Sequence, residues 1–313
     1  MMPCVSEKLV KGYRFVAERD APSRSPLYAE LAGGVAGDAE LIGWLDGLPD
    51  GKRQPNLLFA SYRLVAGTPS GWPEFHAILR ERRDEIEGVM LERRTQTNEA
   101  TRCALLLPLL AQLPQPLALL EVGASAGLCL LPDRYGYDYD GHTLGDGPPV
   151  LRTHVENDPP LPLRLPEIAW RAGLDLDPID VTDEDQIRWL ELLVWPGMEY
   201  RLEILREAVE VARKDPPRLV QGDLTTSDLD DLAAEAPKDA TLVIFHTAVL
   251  FYVPTAKRGP FREKVAALGA TWLACEGANV LGFGRDYNTH MALARDGERV
   301  AWADGHGREL IWG

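Results

Sequence analysis

Residues 117–133 read LALLEVGASAGLCLLPD, and this stretch decides the fold. An apolar run ends at the acid Glu121, and small residues then follow at alternate positions, Gly123, Ser125 and Gly127. Because the apolar pattern resumes at residue 128, the stretch predicts a buried strand, a tight glycine turn and a helix start. Such a turn lets the backbone approach a ligand and leaves free N–H groups at the helix N-terminus.

Two chemistries use this geometry. An E-x-G-x-S-x-G loop cradles a nucleoside cofactor, whereas a G-x-S-x-G elbow exposes Ser125 as a nucleophile. For a serine hydrolase, Asp286 with His290 or His306 would complete the order Ser, Asp, His. An elbow serine normally follows several sheet strands, and none is evident before residue 117. Glu121 also has no role in that mechanism, so the sequence favours the cofactor loop.

Composition narrows the class of partner. Apolar residues make up 45% of the 313 residues, which is enough for a sizeable core, and the formal net charge is −15. That charge argues against a nucleic acid or an anionic membrane and favours a small-molecule substrate. The cysteines are far apart, which predicts reduced thiols in a cytoplasmic protein; they are Cys4, Cys103, Cys129 and Cys275. The six histidines show no paired spacing, so no metal is predicted.

The order of elements predicts the fold class. Residues 1–112 read as a helical N-terminal subdomain on the substrate side, and residues 113–313 alternate strands with helices. An irregular insertion covers 134–167, and a hairpin closes the chain. We therefore expect an α/β protein: a Rossmann-like, doubly wound, mostly parallel sheet with a C-terminal antiparallel hairpin.

Polar residues end the predicted strands in a series: Glu121, Asp175, Asp223, His246 and Glu276. Ligands of open α/β sheets bind at these carboxyl ends. An acid after the second strand, Asp175, suits a ribose diol, and Asp223 after the third suits an adenine amino group. Asp175 lies more than fifty positions past Glu121, where about twenty is usual. Asp138 or Asp140 fits that spacing better, so both stay open for the ribose.

Over residues 95–313 this ordered series resembles the class I S-adenosylmethionine-dependent methyltransferases. The resemblance implies S-adenosylmethionine as cofactor, with its amino-acid portion wrapped by the loop at Glu121, Gly123 and Gly127. Ser125 replaces the middle glycine of the family pattern. The resemblance also implies that Asp175 holds the ribose and that Asp223 lies near the adenine.

Three residues are candidates for catalysis. His246 at a strand end is either a core histidine or a general base facing the methyl acceptor, and Tyr252 and Glu276 are secondary candidates. Ahead of the loop, the polar run 95–99 either caps a helix or supplies polar contacts over the loop. The sequence thus predicts a methyltransferase acting on a small molecule. The alternatives are a serine hydrolase and a non-catalytic nucleoside-ligand binding protein.

The whole chain also resembles a bacterial family known only as a domain of unknown function. The resemblance rests on five segments: 54–58, QPNLL; 95–99, TQTNE; 120–128; 173–175, GLD; and 189–196. It implies no activity.

Overall fold

A computed structural model describes residues 7–96, 98–284 and 290–313, without the side chain of His290. The chain divides into two compact units, residues 1–97 with 184–203 and residues 98–183 with 204–313. The predicted division into residues 1–112 and 113–313 stays a prediction.

The helices, in chain order, are α1 (Glu7–Phe15), α2 (Pro26–Gly37), α3 (Ala39–Asp46), α4 (Pro55–Ala66), α5 (Trp72–Glu81), α6 (Arg83–Glu92), α7 (Cys103–Leu110), α8 (Glu184–Leu193), α9 (Glu199–Lys214), α10 (Asp228–Ala233), α11 (Thr255–Ala267) and α12 (Ala278–Leu281). A π-helical turn, Val16–Asp20, follows α1, and 3₁₀ turns lie at Ala100–Arg102, Leu128–Leu130 and Leu250–Tyr252. None of the helices described is long and apolar enough to cross a membrane.

The described part of the first unit consists of helices joined by loops and has no strand. Pro26 and Pro55 occupy the first positions of α2 and α4, where the missing N–H costs no helical hydrogen bond. Residues 184–203 belong to this unit although they are remote in sequence. Arg63 Nη1 ties them to α4 by donating to the carbonyl oxygens of Leu192 and Val194, at 2.7 Å each.

The strands are β1 (Leu117–Val122), β2 (Gly136–Tyr139), β3 (His142–Leu144), β4 (Val150–Arg152), β5 (His154–Glu156), β6 (Ile168–Asp175), β7 (Arg218–Gln221), β8 (Thr241–Thr247), β9 (Thr271–Gly277), β10 (His290–Arg295), β11 (Glu298–Asp304) and β12 (Glu309–Trp312). One large sheet has the order β5-β12-β11-β10-β9-β8-β1-β6-β7, and a small one has the order β3-β2-β4. Strands β7, β6, β1, β8 and β9 are parallel neighbours, and β10–β12 are antiparallel. The predicted α/β class with a mostly parallel sheet and a C-terminal hairpin is confirmed.

Strand β1 lies at the centre of the parallel part. All six of its residues are buried, because β6 and β8 flank it and both of its faces are covered. This explains its nearly continuous apolar run. Glu121, near its carboxyl end, stands in register with Gly173 on β6 and Phe245 on β8.

The C-terminal hairpin forms as predicted between β10 and β11. Its turn residues, Asp296 and Gly297, have φ angles of 52° and 88°. Two positive φ values match the right-handed twist of the flanking strands, and Asp-Gly supplies them at low cost. Asp296 Oδ1 also accepts a hydrogen bond from the backbone N–H of Trp272 on β9, at 2.8 Å.

The helix expected after the glycine turn is not present. The chain makes one 3₁₀ turn, Leu128–Leu130, and then leaves helical geometry at Leu131, whose φ is −113°. The apolar pattern there is compatible with a helix, but Pro132 follows. Proline lacks an N–H and disfavours helical angles in the residue before it. The prediction of a helix start is therefore right for one turn only.

The predicted insertion folds as the small sheet, and β5 extends the large sheet by pairing with β12. Buried tyrosines attach the small sheet to the rest of the second unit. The hydroxyl of Tyr135 donates to the Leu128 carbonyl, and that of Tyr139 to the Ala104 carbonyl, both at 2.8 Å. The small sheet is thereby anchored to both ends of the segment that contains β1.

Candidate functional site

The loop after β1 is held in a left-handed conformation at three alternate positions. Gly123, Ser125 and Gly127 have φ angles of 71°, 51° and 69°. The backbone N–H of Ser125 donates to Asp175 Oδ2 at 2.8 Å, and Asp175 Oδ1 accepts from the N–H of Asp177 at 2.8 Å. Asp175, at the end of the neighbouring strand, thus fixes Ser125, the one of these three residues that is not glycine, in a conformation that L-residues rarely adopt.

Asp175 is the candidate ribose acid that contacts this loop. Asp138 lies in β2, where its Oδ1 accepts from the N–H of Gly141 at 2.8 Å. Asp140 follows that strand, and its Oδ2 accepts from the N–H of Val155 at 2.9 Å. Spacing along the chain favoured these two acids, but both stabilise the small sheet and its connection to β5. The ribose role of Asp175 stays a prediction.

Asn98 bridges the two ends of the loop. Its Nδ2 donates to the carbonyl of Ala124 at 2.7 Å, and its Oδ1 accepts from the N–H of Leu128 at 3.0 Å. The helical turn that follows begins after Glu99, whose side chain makes no cap hydrogen bond. The polar run before this turn therefore contacts the glycine loop through Asn98, rather than capping its own helix with that side chain.

Protein side chains fill the space beside two of the loop glycines. A Cβ added to Gly123 would lie 2.4 Å from Val249 Cγ2, and one added to Gly127 would lie 2.7 Å from Pro217 Cγ. Both positions therefore require glycine for two reasons: their φ angles are positive, and a side chain there would collide with neighbouring protein atoms. Most of the loop N–H groups that were expected to be free donate hydrogen bonds within the protein. For example, the Gly123 N–H donates to the Leu174 carbonyl at 2.7 Å.

Two buried oxygens at the end of β1 lack a partner among the residues described. They are Oε2 of Glu121 and Oγ of Ser125, and these residues are 2% and 3% exposed. Burial raises the pKa of Glu121 well above its ordinary value of 4.5; Cys129 and Asp175 raise it further, and the charge of Arg102 opposes them. Buried polar groups in proteins are nearly always hydrogen-bonded, so these two atoms are the strongest sign of a missing ligand or water.

His246 and Glu276 form a buried pair across β8 and β9, and both are 0% exposed. His246 Nδ1 lies 2.7 Å from Glu276 Oε1, and the indole Nε1 of Trp272 donates to His246 Nε2 at 3.0 Å. Indole N–H is only a donor, so Nε2 must be the bare nitrogen and Nδ1 must carry the proton. The arrangement favours the core interpretation of His246, while a catalytic role stays a prediction.

This network predicts a specific histidine tautomer. We expect the side chain of His246 to be the Nδ1–H form in nitrogen-15 NMR spectra of labelled protein near neutral pH. Trp272→Phe removes the donor to Nε2 but leaves Glu276 as the acceptor for Nδ1–H, so the Nδ1–H form should persist in this variant. An Nε2–H signal for His246 in the wild-type protein would contradict the network.

Glu276 uses one oxygen to hold the loop after β8. Its Oε1 also accepts from the backbone N–H groups of Val249 and Leu250, at 2.6 and 2.9 Å. Its Oε2 is buried and has no partner within the described part of the chain. Glu276 thus fixes Val249, the side chain that packs on Gly123, and leaves one oxygen available to a ligand or a water.

The other two predicted site residues have different surroundings. Tyr252 is 54% exposed, and its ring packs at a tilt against that of Phe251, with 3.7 Å between ring centroids. Asp223 stabilises its own turn, because its Oδ1 accepts from the N–H of Thr225 at 2.8 Å and its own N–H donates to Asp228 Oδ2. Their proposed roles in catalysis and adenine binding stay predictions.

One structural feature supports the serine hydrolase alternative, and the histidine contact that it requires is not found among the described residues. The positive φ of Ser125 fits a strained elbow. However, its Oγ has no hydrogen bond to any described histidine. Of the predicted partners, Asp286 and the side chain of His290 lie outside the described residues, and His306 Nδ1 is 3.4 Å from Glu99 Oε2.

A cavity of about 270 Å³ opens beside the loop at Ala126. Its lining is mostly apolar and comes from the segments after β6 and before β7; it consists of Ala126, Pro178, Ile179, Asp180, Val181, Pro216, Pro217 and Leu219. Small-molecule sites have this character, although most are somewhat larger.

These features define a mixed α/β protein with candidate ligand-binding groups at the carboxyl ends of β1, β8 and β9. No described group of three or more His, Cys, Asp or Glu side chains is arranged to hold a metal ion. Residues 10–312 match the family described as "uncharacterized protein conserved in bacteria (DUF2332)", and the chain belongs to that family. Searches of curated proteins and of solved structures found no match.

Proposed function

We propose that the protein is an S-adenosylmethionine-dependent methyltransferase acting on a small molecule. The observation that carries the proposal is the pair of unpartnered buried acceptors, Glu121 Oε2 and Ser125 Oγ, at the end of the central strand. Both lie where a doubly wound sheet binds its ligand. A ligand with hydrogen-bond donors and positive charge satisfies them best, and the methionyl ammonium of this cofactor is such a group.

The strand order supports a Rossmann-like interpretation. The five parallel strands follow the order β7-β6-β1-β8-β9, the order 3-2-1-4-5 of doubly wound nucleotide-binding folds. In that order the crevice opens where the winding reverses, beside β1 and β8. One feature departs from the pattern: the helix after β1 is a single turn, so no helix N-terminus contributes to binding.

The residues present fit the cofactor as follows. Glu121 and Ser125 would accept from its ammonium group. Each carboxylate oxygen of Asp175 accepts one backbone N–H and has a further lone pair for the ribose hydroxyls. The cavity beside Ala126 offers apolar surface for a purine ring. When bound, the cofactor supplies an electrophilic methyl group on a sulfonium. The protein's contribution is to align that group with the acceptor and exclude water.

We expect S-adenosylhomocysteine to bind the protein and Glu121→Gln to weaken that binding. A hydrogen bond to a charged group contributes about 1.5–3 kcal/mol, or roughly 10- to 150-fold in Kd. Titration calorimetry measures both proteins, with Glu298→Gln, an exposed acid on β11, as the matched control. Absence of binding at millimolar ligand, or equal binding by wild type and Glu121→Gln, would contradict the proposal.

The pH dependence of S-adenosylhomocysteine binding is a second test of the proposed contact between Glu121 and the ammonium group of the ligand. Burial raises the pKa of Glu121 in the free protein, and an adjacent ammonium lowers it again. Binding therefore releases a proton, and affinity rises with pH until it levels off above the pKa of Glu121 in the free protein. Glu121→Gln should abolish this slope, as calorimetry in buffers of different ionisation enthalpy can show.

Two other functions are compatible with parts of the site. A non-catalytic nucleoside-ligand binding protein would bind S-adenosylhomocysteine without consuming S-adenosylmethionine, so turnover measurements distinguish it. A serine hydrolase would need a histidine beside Ser125, and no described contact favours one.

A further inference from the structure

Arg102 is an almost completely buried cation at the start of α7, with 4% of its surface exposed. Its Nε donates to the Gly305 carbonyl at 2.9 Å. Its Nη1 donates to the Thr247 carbonyl at 3.1 Å and to the Thr247 hydroxyl at 3.2 Å. All three acceptors are uncharged. Among the residues described, no carboxylate forms an ion pair with this guanidinium, and Nη2 has no hydrogen bond.

A buried arginine without an anion is unusual. Arginine is rarely buried unless it is paired, because removing a charge from water is costly unless another charge or several hydrogen bonds compensate. The segment around it is also tightly fixed. A Cβ added to Gly307 would lie 2.5 Å from the Thr101 carbonyl oxygen and 2.9 Å from the Arg102 nitrogen. The 305–307 turn therefore packs directly on the backbone of Arg102.

The acids near Arg102 already have other partners or are held neutral. Glu276 Oε1 accepts from the ring of His246 and from two backbone N–H groups. Glu99 Oε1 accepts from the Thr101 hydroxyl at 3.4 Å. The raised pKa of Glu121 favours its uncharged form. The two free N–H groups of Nη2 are thus available to an anion from outside the chain.

Arg102 contacts the end of β8, on the side of β1 where we expect the methyl acceptor to bind. Thr247 is the last residue of β8 and stands in register with Cys275 on β9. The acids predicted to hold the nucleoside are instead on the other side of β1: Asp175 is the last residue of β6, and Asp223 lies just after β7. Burial raises the pKa of Tyr252, and Arg102 lies close enough for its positive charge to oppose that rise.

We propose that Nη2 of Arg102 binds a carboxylate of the methyl acceptor, so that the substrate is a small monocarboxylic acid. That the carboxylate belongs to a methyl acceptor rests on the proposed function, whereas the anion site itself does not. A monoanion is favoured over a phosphate ester because Nη2 offers two N–H groups, which the oxygens of one carboxylate can accept, and the single positive charge of the arginine balances a single negative charge.

The experiment compares small carboxylates with their neutral amides. Acetate, propionate and benzoate are titrated against acetamide, propionamide and benzamide by ligand-observed NMR, with and without S-adenosylhomocysteine. We expect at least one carboxylate to bind ten times more tightly than its amide. Arg102→Gln should abolish that difference, and Arg102→Lys should restore part of it. Arg152→Gln, an exposed arginine with 75% of its side chain accessible, should leave the difference unchanged.

A second measurement does not depend on the variants folding. In wild-type protein labelled with nitrogen-15 arginine, the carboxylate that binds should shift the Arg102 side-chain signals, and its amide should not. Equal affinity for all acids and amides, or no binding by any of them, would overturn the anion site. A tenfold loss of S-adenosylhomocysteine affinity in Arg102→Gln would assign the arginine to the cofactor carboxylate and overturn the acceptor role. Carboxylate binding without S-adenosylhomocysteine binding would retain the anion site and contradict only the proposed function.

Discussion

Replacing Glu276 by alanine is expected to lower the free energy of unfolding by about 3–5 kcal/mol. The substitution leaves three donors without their acceptor in a fully buried region: the His246 ring N–H and the backbone N–H groups of Val249 and Leu250. Each unsatisfied buried donor costs about 1–3 kcal/mol, reduced where water can enter the space that the side chain leaves. Chemical denaturation followed by tryptophan fluorescence measures the change.

The matched control is Glu298→Ala, because Glu298 is an exposed glutamate in the same sheet. Its effect should stay within about 0.5 kcal/mol, the usual range for surface substitutions. Glu276→Gln keeps an acceptor oxygen at the Oε1 position but puts an amide NH2 without an acceptor at the Oε2 position, so it should fall between the two alanine variants. If Glu276→Ala is as stable as the control, the buried network contributes nothing, and Glu276 is then free for another role.

The second large effect is expected at Gly123. Gly123→Ala should destabilise the protein by about 2–5 kcal/mol, the sum of about 1–2 kcal/mol for a positive φ and about 1–3 kcal/mol for overpacking. The new Cβ would lie 2.4 Å from Val249 Cγ2, so something must move. Thermal and denaturant unfolding measure the total.

Two further variants separate the contributions. Gly141 has a φ of 98° and nothing within 4 Å of an added Cβ, so Gly141→Ala measures the backbone cost alone. In a Gly123→Ala background, Val249→Ala removes the clash and should recover the overpacking part. Equal effects of Gly123→Ala and Gly141→Ala would mean that the contact with Val249 is unimportant.

The succession of large strands along the chain and the polar groups at their ends were predictable from sequence. Buried parallel strands such as β1 have continuous apolar runs, and Gly, Pro and Asp clusters mark where each ends. The position of Asp175 beside the glycine loop followed from its place at the end of the second large strand. Spacing along the chain pointed instead to Asp138 or Asp140, which lie in and directly after β2, because the inserted small sheet separates β1 from β6; which acid holds a ribose stays a prediction.

Other features depend on tertiary contacts that no local pattern contains. The pairing of His246 with Glu276 requires β8 and β9 to be neighbours in a particular register, which sets residues thirty positions apart side by side. The apolar residues 128–131 suit a helix as well as a single turn, and the proline that follows decides between them. Arg102 sits in a segment that reads as an ordinary helix start, and only its burial distinguishes it.

The edges of the large sheet bear on how the protein avoids aggregation. The outermost strands, β5 and β7, are three and four residues long, and each begins and ends with an exposed polar or charged residue. Arg218 of β7 is also held by an ion pair with Glu235. Short, charged edges are poor templates for a strand from another molecule. The inserted strand β5 therefore does more than lengthen the sheet: it covers β12, whose apolar Leu310 and Ile311 would otherwise form an edge open to intermolecular pairing.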